Sequence, residues 1–134
     1  MRSAEDFNNF YQNQDPWSVE DNFNSRNIII SEIIDKYNRP NSLELGSGEG
    51  NFTKYFTKSN HTVNDISYVA LDRLKKKFPK INSICCDMLD LDFKKYDVIF
   101  AIEVIYYLSE KERDLLFSKI KKYTENKKIF IFST

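Results

Sequence analysis

The stretch Leu43-Glu-Leu-Gly-Ser-Gly-Glu-Gly-Asn-Phe52 contains Gly46, Gly48 and Gly50, the only three glycines among 134 residues. Glycine weakens strands and helices, so three within five residues mark a backbone that turns sharply or is approached closely by a ligand. A bare turn rarely needs three. Dinucleotide sites use G-x-G-x-x-G, with the last glycine packing helix on strand. Counting from Gly46, that last position is Asn51, and the pattern here is instead G-x-G-x-G with Glu44 two residues ahead. Asp65, Asp87 and Glu103 follow at intervals along the chain.

These residues need a frame. "SLEL" (42–45) reads as a short strand running into the glycines, and "FTKYFTKS" (52–59) as the helix after them. That strand–loop–helix context gives a glycine motif its meaning. Upstream, Ile29, Ile30, Ile33, Ile34 and Tyr37 recur at helical spacing over 25–37, and Arg39-Pro40 ends that helix. Downstream, "HTVNDI" (61–66) is strand-like, Ser67 suits the cap of a helix reaching Phe78, and "INSICC" (81–86) is a strand. The mostly apolar 96–105 predicts a strand buried on both faces. Ser109-x-x-Glu112 opens an amphipathic helix to 124, and "KIFIFST" (128–134) is a last strand. Residues 1–24 show no clear period. This alternation predicts one α/β domain, a parallel sheet with helices on both faces, and a ligand site at the carboxyl ends of the strands.

Bulk properties exclude several classes. Twenty basic and twenty acidic residues balance to zero, which gives no electrostatic footprint for nucleic acid or an anionic membrane. The lysine runs 75–77 and 121–122 read as solvated helix faces. "MRSAEDFNNF" has no signal-peptide core, and no run suits a membrane span. Cys85 and Cys86 are adjacent and poorly placed to pair, and one histidine leaves a zinc site short of ligands, so no metal is expected. A reduced, cytoplasmic protein is the expectation.

Glu44-Leu-Gly-Ser-Gly-Glu-Gly50 resembles the first motif, E/D-x-G-x-G-x-G, of the class I S-adenosylmethionine (SAM) methyltransferases. Asp65, nineteen residues after Gly46, stands where that family places the acid that holds the ribose hydroxyls. "CDMLDL" (86–91) resembles the motif flanking adenine, and "YDVIFAIEVIYYL" (96–108) the fourth-strand motif. The resemblance implies a Rossmann-like sheet in the order 3-2-1-4-5 and SAM as cofactor. The cofactor site it implies comprises Glu44, Gly46, Ser47, Gly48, Gly50, Asp65, Ile66, Asp87, Met88, Ala101 and Glu103. SAM carries net positive charge, which suits a site ringed by acids. Alternatives stand beside these roles: a buried ion pair with the first helix for Glu44, a helix cap for Asp65, a turn for Asp87 and an exposed loop for Glu49. Glu103, Tyr106 and Tyr107 are the candidates for catalysis or for the acceptor pocket. His61 reads as the start of a strand.

"FYQNQDPWSVEDNF" (10–23), with an Arg-bearing helix after it, is similar to the nodulation-type (NodS-like) N-methyltransferases. This implies an amine acceptor, a lid containing Tyr11 and Trp17, and Arg26 on the cofactor carboxylate. The other readings are a cap and core tryptophan for Asp15-Pro16-Trp17 and a surface position for Arg26. The family sheet has seven strands and five are legible here. The chain is therefore expected to be truncated, or to draw on a partner chain or a second copy across an exposed fifth strand. A SAM-binding subunit without activity and a nicotinamide-dependent oxidoreductase are the competing functions.

Overall fold

Asn41-Ser-Leu-Glu-Leu45 has alternating residues that are buried on both sides, which makes it the central strand of the sheet. The computed structural model describes residues 3–13, 16, 25–36, 41–55, 60–124 and 128–133. Five strands, β1 (Asn41–Leu45), β2 (Asn60–Asp65), β3 (Asn82–Cys85), β4 (Val98–Ile102) and β5 (Ile129–Ser133), pair in the order β3-β2-β1-β4-β5. Every pairing is parallel. Glu44 lies between Val63 of β2 and Phe100 of β4. The chain moves from β1 to one side and later returns to the other, so β1 and β4 flank the switch point where such sheets bind ligands.

The helices are α1 (Ala4–Phe10), α2 (Ser25–Lys36), α3 (Tyr68–Lys77) and α4 (Glu110–Thr124). Both faces of the sheet are covered. Leu43, Leu45, Ile99 and Ala101 pack with Leu116 and Ile120 of α4. On the other face Val98 and Phe100 pack with Ile34 of α2 and with Phe52, and Val63 of β2 packs with Leu71 and Leu74 of α3. Burial on both faces explains the unbroken apolar run of β4. Helix α3 is capped by Ser67, whose Oγ accepts from Ala70 N at 3.2 Å, and α4 by the reciprocal Ser109–Glu112 box. Lys119 of α4 donates to the carbonyls of Leu89 and Leu91, tying the segment after β3 to the helix.

Three expectations change. Residues 1–24 do contain a helix, α1, announced by the capping box Ser3-x-x-Asp6 rather than by apolar period. The helix expected over 52–59 is, within the described residues, a single 3-10 turn at Thr53–Tyr55; residues 56–59 lie outside them. On α2 the inward face is Asn27, Ser31 and Ile34, while Ile29 and Ile33 are 56% and 41% exposed. A polar inward face is tolerated because Ser31 Oγ donates back to Ile28 O at 2.8 Å, and it turns Arg26 and Asn27 toward the strand ends.

Candidate functional site

The carboxyl ends of β1, β2 and β4 open into a cleft of about 370 Å³, within the roughly 300–1,000 Å³ range of small-molecule sites. Glu44, Gly46, Ser47, Gly48, Asp65, Ile66, Asp87, Met88, Glu103, Tyr11, Arg26, Tyr106 and Tyr107 all line it. Residues read from distant parts of the sequence therefore meet in one place. Gly50 and Ala101 stand behind the wall. Trp17 lies outside the described residues.

The glycine loop divides its labour. All three glycines have positive φ, at 63°, 54° and 87°. A Cβ on Gly46 would stand 2.2 Å from Val104 Cγ2, and one on Gly48 would stand 2.6 Å from Tyr11 Oη. On Gly50 it would meet Phe78 and Leu74 at 2.9 and 3.2 Å, so this glycine packs the loop onto α3 rather than facing a ligand.

Asp65, at the end of β2, accepts from Gly48 N and Ser67 N, each at 2.8 Å. It thus fixes the loop and the start of α3 together. Burial raises its pKa from 3.8 to about 6, although these backbone donors pull the other way; the nearby Glu44 charge adds to the rise. Glu44 is buried, and its Oε2 accepts from Thr53 Oγ1 at 2.7 Å and meets His61 Nε2 at 3.0 Å. The partner of Glu44 is thus His61 of β2, through a hydrogen bond, rather than a residue of the preceding helix. Asp87 Oδ1 accepts from Leu89 N at 2.9 Å, so it is a turn residue and a cleft residue at once.

Glu103 closes β4 with φ 55°, the one described non-glycine residue in the left-handed region. Its Oε1 takes a 2.5 Å bond from Arg26 Nη1 and one of 3.1 Å from Ser133 Oγ at the end of β5. Arg26 thus lines the cleft and is paired across its mouth, while its side chain stays exposed. Glu49 is buried, not exposed loop, and its Oε1 lies 2.5 Å from Arg73 Nη1.

Sequence reading passed over several contributors. Arg73 also donates to the carbonyls of Asn13 and Gln12, at 2.8 and 3.2 Å, which holds the end of α1 on the glycine loop. Asn8 Oδ1 accepts from Ser67 Oγ at 2.7 Å, and Phe7 meets Tyr107 edge-on at 5.4 Å. Asn64 lines the cleft, with Nδ2 donating to the carbonyls of Ile84 and Cys86. These depend on contacts between residues far apart along the chain, such as 20 for Asn64–Ile84 and 60 for Arg73–Asn13, for which no local pattern exists. Ser47 Oγ and Asn64 Oδ1 are buried without a partner among the described residues. Both residues line the cleft, so it holds polar atoms that a ligand would satisfy.

The sequence profile of the family described as "Methyltransferase domain" matches residues 43–127. No curated protein matches the chain. Among solved structures, the methyltransferase domain of bacterial CtHen1 is 25% identical, over 74% of this chain and 60% of its own, with a TM-score of 0.62. A SAM-dependent methyltransferase from Clostridium acetobutylicum ATCC 824 is 20% identical, over 96% of this chain and 56% of its own, with a TM-score of 0.64. The glycopeptide N-methyltransferase MtfA, complexed with SAM, is 19% identical, over 69% and 48%, with a TM-score of 0.58. The last two bear on the fold alone. The chain spans 48–60% of the length of these three structures. With a five-stranded Rossmann-like sheet and a profile match over more than half its residues, the chain belongs to the methyltransferase domain family.

Proposed function

We propose that this chain binds SAM in the cleft at the strand ends and transfers its methyl group to the amine of a small molecule. One observation carries the reading: the positive-φ backbone of Gly46 and Gly48 shares a cleft with four carboxylates, Glu44, Asp65, Asp87 and Glu103. A ligand that is cationic at one end and carries hydroxyls and an amino-purine at the other suits that set. The unpartnered Ser47 Oγ and Asn64 Oδ1 add polar capacity to the same wall. A dinucleotide suits it less, because Asn51 occupies the place of the third glycine in the fingerprint.

In this reading SAM supplies an activated methyl group. The chain's own residues orient and enclose. Glu44 and the Gly46–Gly48 backbone hold the amino-acid end, with Arg26 exchanging Glu103 for the ligand carboxylate. Asp65 accepts the ribose hydroxyls, and Asp87 with Met88 holds the base. Helix α1 covers the cleft with Phe7 and Tyr11 and keeps water out. Tyr106 and Tyr107, with ring centroids 4.4 Å apart and planes tilted by 46°, present aromatic surface beside Glu103, which suits an amine acceptor. An amine needs alignment and a neutral nitrogen more than a base, so Glu103 is assigned to positioning. The NodS-like N-terminal segment supports nitrogen as the target, and MtfA, described as an N-methyltransferase, shares the fold. Cys85 and Cys86 are free thiols, which suits the cytoplasm, and no helix among the described residues is long and apolar enough to cross a membrane.

Calorimetric titration with S-adenosylhomocysteine (SAH) tests binding, and absence of a binding isotherm defeats the proposal. A labelled-methyl assay over amine acceptors then tests turnover. A second reading, a SAM-binding chain that acts only with a partner, is favoured by β5. This strand is outermost in the sheet, and its Phe132 is 50% exposed. Binding of SAH without methyl transfer by the chain alone, restored by a partner, would favour it.

A further inference from the structure

Behind the cleft, four side chains form a continuous hydrogen-bonded row. Ser42 Oγ lies 2.8 Å from His61 Nδ1, His61 Nε2 lies 3.0 Å from Glu44 Oε2, and Thr53 Oγ1 donates to the same Oε2 at 2.7 Å. All four residues are buried, at 0%, 6%, 2% and 1% exposure. The neutral imidazole tautomer that satisfies both neighbours carries its proton on Nε2. It donates to the carboxylate there and accepts the Ser42 hydroxyl at Nδ1.

Stability alone does not call for this arrangement. Replacing a buried ionisable pair by apolar side chains of similar volume is often neutral or favourable. The surroundings would accept such a change, since the His61 ring stacks on Phe100 at 5.5 Å and Val63 is the adjacent partner of Glu44 in the sheet. What distinguishes the pair is its position, because Glu44 is in the cleft wall while His61, Ser42 and Thr53 are not. Both donors converge on Oε2. No described residue bonds Oε1.

We infer that His61, supported by Ser42 and assisted by Thr53, is a positioning residue for cofactor binding. It locks Glu44 through Oε2 so that Oε1 is presented to the ligand's α-amino group. The inference rests on the SAM reading above. His61 touches no ligand in this scheme, and its effect should be seen only on ligands that carry the amino group.

The test is calorimetric titration of the whole chain with SAH and with its analogue lacking the α-amino group. The chains compared are wild type, His61→Phe, His61→Gln and Thr53→Val. His61→Phe is expected to weaken SAH by roughly tenfold, the loss of one hydrogen bond to a charged group, and to leave the deaminated analogue within about twofold. His61→Gln keeps an N–H donor and is expected to recover most of the loss. Thr53→Val is nearly isosteric and is expected to shift SAH in the same direction by a smaller factor. It decides the matter if His61→Phe does not fold. Equal losses for both ligands, or no loss for SAH, would overturn the inference. Wild type that binds neither ligand would overturn the SAM reading itself, and this inference with it.

Discussion

Asp65 carries two duties that pull its carboxyl in opposite directions. Burial opposes its charge and backbone donors favour it, with burial prevailing and the pKa raised to about 6. A raised carboxyl pKa means that the folded chain holds a proton the unfolded chain has lost between about pH 4 and 6. Stability from this group is therefore full below that window and declines as pH rises through it, by on the order of 2–3 kcal/mol. Urea unfolding between pH 4 and 7 should show this decline in wild type, and Asp65→Asn should remove it. The ionised form is the better acceptor for ligand hydroxyls, so SAH affinity should fall as pH drops below about 6. Calorimetry of wild type across that range checks the sign. At the glycine loop, Gly46→Ala places a methyl against Val104 in a left-handed backbone and should abolish measurable SAH binding. Val104→Ala in the same chain should restore part of it by removing the steric share of the defect. The acids and glycines were legible because their spacing reflects one loop and the ends of three strands. His61, Asn64 and Arg73 were not, because their roles arise from register and packing between elements.

At the scale of elements, α1 shows how far local signals reach. Its capping box, Ser3 with Asp6, was not read from the sequence, and its place over the cleft depends on Arg73. Arg73→Ala removes the Glu49 pair and both carbonyl contacts. It should raise amide exchange across residues 3–13 while leaving α4 protected, which hydrogen-exchange mass spectrometry resolves. SAH should bind several-fold more weakly to this variant, as expected for a cover that opens. A parallel α/β sheet was readable from alternation and from the apolar run of β4, and its strand order from the resemblance to the methyltransferases. The face of α2 was not, because its five isoleucines offer more than one stripe, and the helix buries Asn27, Ser31 and Ile34 instead of the exposed Ile29 and Ile33. Leu116 of α4, fully buried against β1 and β4, is the obvious core probe. Leu116→Ala should cost about 2–5 kcal/mol in denaturant unfolding.

For the whole molecule, charge balance removes long-range steering, so association depends on shape and apolar contact. The outer strand β5 carries Phe130 and Phe132 stacked at 5.4 Å, with Phe117 of α4 beside them. We propose this outer strand as the surface on which a second copy of the chain docks. Sedimentation velocity should show concentration-dependent association, and Phe132→Lys should suppress it while SAH affinity is retained. Five strands and one profile match were foreseeable from the order of motifs. The acceptor was not, since its pocket combines α1, the Tyr106–Tyr107 pair and the mouth of the cleft.

The contacts of α1 also bear on the order of events during synthesis. Asn8 meets Ser67 across 59 residues, and the carbonyls of Asn13 and Gln12 meet Arg73 across 60 and 61. A seven-residue helix is too short to persist alone in water. The segment that leaves the ribosome early must therefore wait until β2 and α3 have emerged, and Phe7 waits longer still for Tyr107. Closure of the cleft is a late step of folding, set by long sequence separation rather than by helix formation.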